Sequence, residues 1–569
     1  MAESHTSVLV VGGGPVGLAL SCLLSGQGVD HVLVESRPAV SRHPRARGVS
    51  ARSMEIFRRL GLENAVRAAG LPAEQVSFYR GRDLVDPEYV RTGPAREPGG
   101  GGPEHTPSPG LICSQDVLEP LLLRRARELA GPRVRFGTRL LSFLDDGLGV
   151  QAVVQERATG RRYRLRADWL VGCDGASSTV RAGAGIAMEG PTGLGRYLSI
   201  RFEAPLGQVV ADRVSASYFL TVPGRGGFMA VDNDRHWIYQ YPLGADPGTA
   251  ADPGTAADPG TAADVGTAAG PGTAADVGTA AGPGTAVDPG TAVDVADHRF
   301  LAGLVRTAAG VPDLDVTVRD TMTWRMDAQL AGSYRRSRVL LAGDAAHVVP
   351  PTGGHGMNTG IGDADNLAWK LAAVTAGHAG DALLDTYEAE RRPLARQVID
   401  ISTANAANRT GYRIDDELLL TAAYRSAAVV PGPQDADRPG VLDPDGCRPG
   451  CRPGERVPHV RLTTAGASDV TSTLDLTGPG LTLLTADDDP RWQPHAEAVR
   501  RAGIPLALRA VRTASRREAA PGQWAYLLGA EHAGAALLVR PDGHIAWRGV
   551  RPADPATLPA LVRRVLAAP

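Results

Sequence analysis

A glycine-rich turn near the N-terminus constrains the fold of this chain more than any other feature. The apolar run from Ser7 to Val11 predicts a strand, GGGPVG follows at residues 12–17, and a helical pattern then ends at Gly28. A second apolar run, His31 to Glu35, predicts another strand. A strand–turn–helix–strand unit of about 30 residues is typical of the start of a dinucleotide-binding α/β fold.

The turn has the spacing Gly12-x-Gly14-x-x-Gly17, with Pro15 inside it. These glycines permit a tight turn and a close approach to a pyrophosphate, and the following helix N-terminus offers N–H groups to that anion. Glu35, eighteen residues after Gly17, can accept hydrogen bonds from ribose hydroxyls. A turn without a ligand is the alternative, and the agreement of strand, helix and acid argues against it. The motif leaves the choice between FAD and NAD open.

Two later segments have related patterns. GCDG at residues 172–175 contains Asp174 and by itself is an ordinary Asp-Gly turn. In RVLLAGDAAHVVPPTGGHGMNTGIGDADNLAWKL, residues 338–371, Asp344 is predicted at the carboxyl end of a strand, where parallel sheets bind ligands. Glycines 353, 354 and 356 leave amides exposed before a helix, where they can hold the electron-rich edge of a reduced flavin.

The rest of the chain alternates between strands and helices. We expect a helix at about 116–130, alternating strands at 133–172, antiparallel strands at 190–243, and strands at 316–326 and 337–349. A long helix is predicted to begin near Asp363, with helices continuing to about 428. Residues 429–460 are rich in Pro, Gly and Asp and predict a linker, and residues 470–569 form a separate α/β pattern.

A hexapeptide repeat of eight copies occupies residues 245–292. Collagen requires glycine at every third position, whereas here it recurs at every sixth. The copies contain no aromatic residue, Leu or Ile, so ordering them would bury too little apolar surface to offset chain entropy. We therefore expect a disordered insertion.

Composition limits the partners and the location. The chain has 60 Lys+Arg and 62 Asp+Glu, and this balance gives no general attraction to nucleic acid or to an anionic membrane. Five scattered cysteines do not form a disulfide framework, and no metal-binding cluster is expected. With no signal peptide and no apolar run near 18 residues, the expectation is a soluble, cytoplasmic protein.

Over about residues 7–400 the three motifs, in this order and spacing, resemble the class A (single-component) FAD-dependent aromatic hydroxylases, typified by para-hydroxybenzoate hydroxylase. The C-terminal region, with LLVRPDGHIAWRG, resembles the thioredoxin-like domain of phenol hydroxylase and of bacterial aromatic polyketide hydroxylases. The CxxC of thioredoxin is absent, so no redox role is expected for this region.

The resemblance implies an α/β fold with three domains. A Rossmann-like FAD-binding domain would comprise residues 1–184 and 318–400, interrupted by an antiparallel-sheet substrate domain at 185–317 that contains the repeat. Helices and loops at 401–460 would then lead to the thioredoxin-like domain at 461–569.

The resemblance also assigns roles by position. Arg45 and Arg47 match arginines near the FAD pyrophosphate and the nicotinamide cofactor, Gln115 matches a contact to the ribityl chain, and the motif of Asp174 serves both cofactors. Asp344 would hold ribityl or pyrophosphate groups. The full set implied to bind the cofactor is Gly12, Gly14, Pro15, Gly17, Glu35, Ser36, Arg37, Arg45, Arg47, Gln115, Asp174, Gly343, Asp344, Gly356, Met357 and Asn358, with the amides of the last two at the flavin ring.

Three further residues are candidates for catalysis or for substrate contact. Tyr218 matches a substrate-contacting tyrosine, and the alternative is a half-buried aromatic on a strand. Pro351 stiffens the approach to the flavin loop. His355, like His347, lies in that loop and would meet flavin or substrate, with a loop histidine of no catalytic role as the alternative.

The implied reaction is a monooxygenation that uses FAD, NADPH or NADH, and O2, through a flavin C4a-hydroperoxide. The resemblance favours a polycyclic aromatic polyketide intermediate as substrate. Hydroxylation of a simple phenol, inactivation of an antibiotic of the rifampicin type and Baeyer–Villiger oxygenation remain alternatives, as does a flavin-binding sensor. A monomer and a homodimer are both compatible with the sequence.

Overall fold

A computed structural model describes residues 3–41, 43, 45–72, 75–92, 105–244, 297–407, 415–432, 441–465, 470–529 and 535–568. The repeat at 245–292 lies outside these residues, so its disorder stays a prediction. No helix in the described ranges combines the length and the apolar character that a membrane crossing needs.

The described residues contain eleven α-helices. They are α1 Pro15–Gly26, α2 Ala51–Arg59, α3 Glu63–Ala69, α4 Gln115–Ala130, α5 Thr179–Gly183, α6 His298–Ala309, α7 Gly356–Thr375, α8 Asp385–Ala407, α9 Gln493–Arg501, α10 Gln523–Leu528 and α11 Thr557–Val565.

The described residues also form strands that range from two to eleven residues in length. They are β1 Glu3–Val11, β2 His31–Glu35, β3 Gly48–Val49, β4 Phe78–Gly81, β5 Val90–Thr92, β6 Leu111–Ile112, β7 Val134–Phe136, β8 Thr138–Asp145, β9 Val150–Glu156, β10 Arg162–Gly172, β11 Met188–Glu189, β12 Gly195–Glu203, β13 Ser217–Leu220, β14 Gly227–Ala230, β15 His236–Gly244, β16 Thr317–Met326, β17 Gln329–Ala331, β18 Arg335–Arg336, β19 Val339–Leu341, β20 His347–Val348, β21 Leu462–Thr464, β22 Leu481–Asp487, β23 Leu506–Arg512, β24 Arg516–Glu518, β25 Ala536–Val539 and β26 Ile545–Gly549.

The sheet that contains the N-terminal strand brings the three sequence motifs together. β1 pairs in parallel with β10 and β2, and β19 pairs in parallel with β10. Val11 is opposite Gly172, and Gly172 is opposite Leu341, so the carboxyl ends of three strands lie side by side. The glycine turn, the Asp174 turn and the Asp344 turn directly follow these strands. They are therefore neighbours at one edge of the sheet, where ligands bind in parallel α/β folds.

A second sheet has seven strands in the order β16-β12-β15-β14-β13-β4-β5, antiparallel except for the β4–β13 pair. One face packs against α6 through buried residues that include Leu198, Phe228 and Val305. The opposite face, named the open face below, points away from α6. The predicted domain limits at 184 and 318 assign β4 and nearly all of β16 to the first domain, whereas both pair within this second sheet.

The C-terminal region forms a four-stranded sheet in the order β23-β22-β25-β26. β22 and β23 are parallel, and β25 and β26 are antiparallel to their neighbours. Helices α9 and α11 pack on it through an apolar cluster that includes Val499 and Val562. This agrees with the separate α/β pattern predicted for residues 470–569.

Three predicted elements differ from the structure. The long helix α7 begins at Gly356 rather than near Asp363, because close packing overrides the low helix propensity of its glycines. Helices do not continue to about 428: α8 ends at Ala407, and the helical structure among the described residues 415–428 is a single 3-10 turn at Leu418–Thr421. The strand expected at 337–349 is two short strands, because Gly343, at φ +64°, starts a 3-10 turn between them.

Candidate functional site

The glycine turn after β1 is built for close packing on one side and for an open approach on the other. A Cβ at Gly12 would overlap the carbonyl oxygen of Cys173, and one at Gly17 would overlap the carbonyl oxygen of Gly12. A Cβ at Gly14 would meet nothing within 4 Å. Helix α1 starts at Pro15, and no side chain caps its N-terminus. The turn thus leaves open space and unpaired amides where a pyrophosphate would lie.

Glu35 is buried at the end of β2 beside this turn. Its Oε2 accepts a hydrogen bond from the Gly13 amide at 2.6 Å. Its Oε1 accepts from the Arg37 amide at 2.7 Å, from Arg37 Nε at 3.0 Å and from the Ser36 hydroxyl at 3.3 Å. Burial raises the pKa of Glu35, but the hydrogen bonds from Arg37 and Gly13 outweigh burial and lower it. The carboxylate is ionised, and Oε2 can still accept a ribose hydroxyl.

Asp174 holds the neighbouring turn. Its carboxylate accepts hydrogen bonds from the Ser178 hydroxyl and, at 3.1 Å, from the Val180 amide at the start of α5. Burial raises the pKa of Asp174. These contacts give Asp174 a local structural role beside Gly12, whose Cβ would lie 2.8 Å from the Asp174 amide.

Asp344 combines exposure with a crowded environment. Its side chain is exposed, yet surrounding protein raises the pKa of its carboxyl, while the positive groups of His347 and Arg45 lower it. A group that is both exposed and surrounded lies in a cleft. Gly343 beside it leaves no room for a side chain, because a Cβ would lie 2.9 Å from Val16 in helix α1. This packing joins the Asp344 turn to the N-terminus of α1.

A buried ion cluster that the sequence analysis missed supports the Asp344 turn. The carboxylate of Asp363 accepts hydrogen bonds from the Gly343 amide at 3.1 Å and from Arg391 Nε at 2.8 Å, and it lies 2.7 Å from His347 Nε2. Burial raises the pKa of Asp363, and Arg391 outweighs that effect and lowers it. Arg391 also donates to the Thr359 carbonyl in the first turn of α7. The cluster therefore fixes the Asp344 turn and the first turn of α7 relative to each other.

The N-terminus of α7 is the second open helix end. No side chain caps it, and a Cβ at Gly354 would meet nothing within 4 Å. Asn358 is buried, and its side-chain amide donates to the carbonyls of Gly48 and Gly354 while accepting from the Ser50 amide at 2.9 Å. The side chain of Asn358 is thus structural. The amides of Gly356 and Met357 in the first turn face no intrahelical acceptor and suit an electron-rich ligand edge.

The two loop residues proposed for catalysis have different surroundings. Pro351 is exposed, and its carbonyl accepts the Gly354 amide in a turn. His355 is buried, and burial lowers its pKa to about 4. Its ring lies against Gly353, where a Cβ would be 2.8 Å from His355 Cδ2. A neutral histidine at this place is available to hydrogen-bond but not to carry charge at neutral pH.

The segment from His43 to Ser50 connects the Asp344 cleft with the open face of the seven-stranded sheet. Arg45 is exposed and is the arginine whose charge reaches Asp344. The Gln115 side chain accepts from the Ala46 amide at 3.2 Å and so holds this segment to α4. The Arg47 guanidinium donates instead to the carbonyls of Ala216, at 2.9 Å, and Ala230, at 2.5 Å. Burial lowers the pKa of Arg47 to about 10. In this structure Arg47 is therefore a contact of the seven-stranded sheet rather than of the glycine turn.

The open face carries a partly apolar platform that the sequence analysis did not identify. Strand pairing sets Phe219, Gly227, Gln240, Ser199 and Met322 side by side across five strands. In the next row, the rings of Tyr197 and Trp324 stack with centroids 4.5 Å apart. Phe219, Gln240, Met322 and Trp324 are half-buried, which leaves surface for a planar ligand.

The assignment of Tyr218 to the substrate is wrong for this structure. Alternation along β13 places its side chain on the α6 side of the sheet, fully buried, with its ring 5.7 Å from that of Trp237. Its hydroxyl donates to Asn233 Oδ1 at 3.0 Å and accepts the Ser215 amide at 2.9 Å. Burial raises the pKa of Tyr218. The neighbouring Phe219 points to the other face, and it is the residue of β13 that forms part of the platform.

Comparison with protein families gives two matches. A model described as "FAD binding domain" matches residues 5–271 and 287–402. A model described as "Aromatic-ring hydroxylase, C-terminal" matches residues 451–569.

Individual relatives cover the whole chain. Tetracenomycin B2 monooxygenase-dioxygenase from Streptomyces olivaceus is 36% identical over 100% of both chains. A crystal structure of the flavin-dependent monooxygenase PieE with FAD and substrate superposes with a TM-score of 0.82 at 31% identity, covering 99% of each chain. A ternary complex of aklavinone-11 hydroxylase with FAD and aklavinone superposes with a TM-score of 0.79 at 33% identity, covering 100% of each chain.

Proposed function

Because this chain belongs to the family of FAD-dependent aromatic-ring hydroxylases, we propose that it uses NAD(P)H and O2 to hydroxylate a polycyclic aromatic polyketide intermediate. The observation that carries the proposal is the cleft around Asp344. It lies between two uncapped helix N-termini, and the segment from His43 to Ser50 joins it to the platform on the open face.

The residues at the cleft fit FAD. Gly14 and Gly354 each face open space that a side chain would fill, which suits a pyrophosphate at α1 and a flavin ring at α7. Glu35 is ionised and near the glycine turn, where an adenosine ribose would lie, and Asp344 is the exposed acid between the two helix ends. We assign the ribityl chain to Gln115 and Asp344, and the approach of the nicotinamide cofactor to the exposed Arg45.

When bound, FAD would supply the redox chemistry that joins NAD(P)H oxidation to O2 reduction, with one oxygen atom going to the ring and the other to water. The protein supplies orientation and protection from solvent. Phe219, Met322 and Trp324 offer flat apolar contact for a fused ring system. His355 is neutral and buried in the loop before α7, so it adds a polar atom there without adding charge.

The same proposal includes the domain organisation. The eight-stranded sheet with α1 and α7 would form the Rossmann-like FAD-binding domain, the seven-stranded sheet the substrate domain, and the four-stranded sheet a thioredoxin-like domain. The parallel β22–β23 pair flanked by antiparallel β25 and β26 supports the last assignment. The aromatic substrate, O2 and NAD(P)H would be the partners of a monomer or a homodimer.

The test measures the FAD-loaded enzyme with and without a panel of polycyclic phenols. We expect NAD(P)H oxidation to be slow without substrate and much faster with the correct ring, and mass spectrometry to show a product that has gained one oxygen atom. Oxidation at equal rates with and without every ring, and no oxygenated product, would contradict the proposal and favour an oxidase or a flavin-binding sensor.

A further inference from the structure

A chain of hydrogen bonds runs across the open face. Trp324 Nε1 donates to Gln240 Oε1 at 3.1 Å, and Gln240 Nε2 donates to Ser199 Oγ at 3.0 Å. Ser199 Oγ lies 2.9 Å from His43 Nε2, and His43 Nδ1 lies 3.0 Å from Asp320 Oδ2. Ser199 and His43 are buried in the middle of the chain.

The indole at one end of this chain sets the orientation of the Gln240 amide. An indole N–H can only donate. The Gln240 oxygen must therefore face Trp324, and its nitrogen must face Ser199. Ser199 Oγ accepts from Gln240 and also contacts His43 Nε2, and the same His43 ring contacts Asp320 through Nδ1.

Gln240 keeps two unused hydrogen-bonding positions. One proton on Nε2 and one lone pair on Oε1 have no partner among the described residues. Gln240 is half-buried, and its cross-strand neighbour on one side is Gly227, which has no side chain to cover it. Phe219 and Met322 border the same row. The amide therefore presents one donor and one acceptor at a gap in an apolar platform.

We propose that Gln240 selects rings that carry a phenolic hydroxyl next to a carbonyl oxygen, and that His43 is the positioning residue that holds its amide. The inference rests on the proposed function, because it names the substrate group that the platform recognises. The free N–H of Gln240 pairs with the carbonyl oxygen, and the free lone pair of its Oε1 pairs with the hydroxyl. An amide turned by 180° would offer the opposite order of donor and acceptor.

His43 also ties this recognition to the cofactor cleft. It lies in the segment whose next residues reach Gln115 and the Asp344 cleft, and it bonds to β12 and β16 of the substrate-facing sheet. Gln240 therefore holds the ring at a fixed position relative to the segment that borders the flavin. His43 acts through Ser199 and Gln240 and does not itself touch the ring.

The experiment compares two probes on the FAD-loaded enzyme: 1-hydroxyanthraquinone, in which the hydroxyl adjoins a carbonyl, and anthraquinone, which lacks the hydroxyl. Kd values come from perturbation of the flavin absorbance. We expect the wild type to prefer the hydroxylated ring by about 5- to 12-fold, as the one additional hydrogen bond to the hydroxyl gives. Gln240→Leu, which removes both the free donor and the free acceptor, should remove the preference, and it should weaken the binding of anthraquinone by no more than the one hydrogen bond to its carbonyl, about 12-fold.

His43→Leu should also reduce the preference to below about threefold, and His43→Gln, which can still bond to Ser199, should restore part of it. His236→Gln is the matched control. His236 lies at the exposed end of β15, the strand that contains Gln240, and this variant should keep the wild-type ratio. A His43 with a merely structural role would lower thermal stability without changing this ratio.

Equal affinities of the two rings in the wild type, or a preference that survives in Gln240→Leu, would overturn the inference. So would failure of both rings to perturb the flavin. None of these results touches the proposed function, which fails separately if no ring in the wider panel gains oxygen.

Discussion

At the scale of the residue, Glu35 and Asp344 have opposite surroundings and so different tasks. Glu35 is buried and receives hydrogen bonds from Gly13, Ser36 and Arg37, which hold it ionised in one position. Asp344 is exposed in a cleft, and no hydrogen bond to its carboxylate is present in the described part of the chain. The first is a fixed acceptor, and the second is open to a ligand that brings its own donors.

Asp344→Ala should therefore remove flavin without unfolding the protein. Loss of a charge-assisted acceptor in a desolvated cleft costs about 1.5–3 kcal/mol of binding, or at least tenfold in the Kd of FAD. FAD fluorescence titration of the apoprotein measures this change, and circular dichroism checks the fold. Asp313→Ala, at an exposed acid in the loop between α6 and β16, is the control and should bind FAD like the wild type.

His355 makes stability depend on pH in a known direction. Burial lowers its pKa to about 4 from an ordinary value of 6.5. Between these values the unfolded chain binds a proton that the folded chain does not, so stability falls as pH drops from about 6.5 toward 4. The loss at this residue is about 2 kcal/mol by pH 5.

His355→Gln should consequently show a smaller difference in the free energy of unfolding between pH 7.5 and pH 5, by about 2 kcal/mol, in urea titrations of the FAD-loaded protein. His298→Gln changes an exposed histidine and should leave the difference as it is in the wild type. The same pH difference in His355→Gln and the wild type would mean that the ring is not kept neutral by burial.

The positions of the candidate cofactor residues in the fold could be predicted from the sequence to the extent that these residues follow strands locally. Gly12, Glu35 and Asp344 all end or follow a strand, and the structure brings their turns to one edge. Gln240 and His43 could not be predicted, because their partners are 41 and 156 residues away along the chain. The assignment of Tyr218 was wrong because SYFLTV has aromatic residues on both faces, so apolar alternation does not show which ring faces the ligand.

At the scale of the element, helix α7 depends on glycines that its own propensity would disfavour. A Cβ at Gly360 would lie 2.5 Å from Val16 Cγ2 in α1 and 3.0 Å from Gly343 Cα. A Cβ at Gly362 would lie 2.8 Å from the guanidinium of Arg391. The two helix N-termini that frame the cleft are thus held together by the absence of side chains.

Gly360→Ala should destabilise the protein by about 1–3 kcal/mol through overpacking, although alanine favours a helix. Gly303→Ala is a matched control, because Gly303 also lies in a helix and a Cβ there meets nothing within 4 Å. That variant should gain about 0.5–1 kcal/mol. Adding Val16→Ala to Gly360→Ala should recover part of the loss, and urea unfolding measures all three. A Gly360→Ala variant as stable as Gly303→Ala would contradict the packing argument.

Elements with a clear hydrophobic periodicity were predicted well. Elements whose position depends on pairing with strands far away in the sequence were not. The β1–α1–β2 unit and the C-terminal α/β pattern follow from local apolar runs. The membership of β4 and β16 in the seven-stranded sheet follows from pairing with β13 and β12, which no local pattern reveals. The early start of α7 depends on contacts with α1, so glycine content alone predicted its first turn to be a loop.

At the scale of the whole molecule, one turn of the C-terminal sheet enters the FAD-binding half. In the turn 540–544, the Asp542 carboxylate lies 2.5 Å from Arg540 Nη2 and accepts from Trp369 Nε1 of α7 at 3.0 Å. Arg540 donates two hydrogen bonds to Glu390 of α8, at 2.6 and 2.8 Å. His544 stacks on Tyr424 with ring centroids 4.0 Å apart.

These contacts continue to the Asp344 turn. The Tyr424 hydroxyl accepts from Arg391, which holds Asp363 and through it the Gly343 amide. Lys370 of α7 donates to Glu390, and burial lowers its pKa to about 8. The C-terminal region lacks a CxxC, and its role at the site is structural. The turn 540–544 supplies charged partners to the middle of α7.

Asp542→Asn should therefore weaken FAD binding as well as stability. It removes one charge from a buried set that includes Arg540 and Glu390, and loss of such a partner costs about 3–5 kcal/mol. Because we propose that α7 presents its N-terminus to the flavin, we expect a Kd for FAD at least fivefold weaker, roughly 1 kcal/mol, at a temperature where the variant is still folded. Asp554→Asn changes an exposed acid in the same region and should alter neither quantity. A variant of Asp542 that loses stability but binds FAD like the wild type would show that the C-terminal turn supports the fold without positioning the flavin helix.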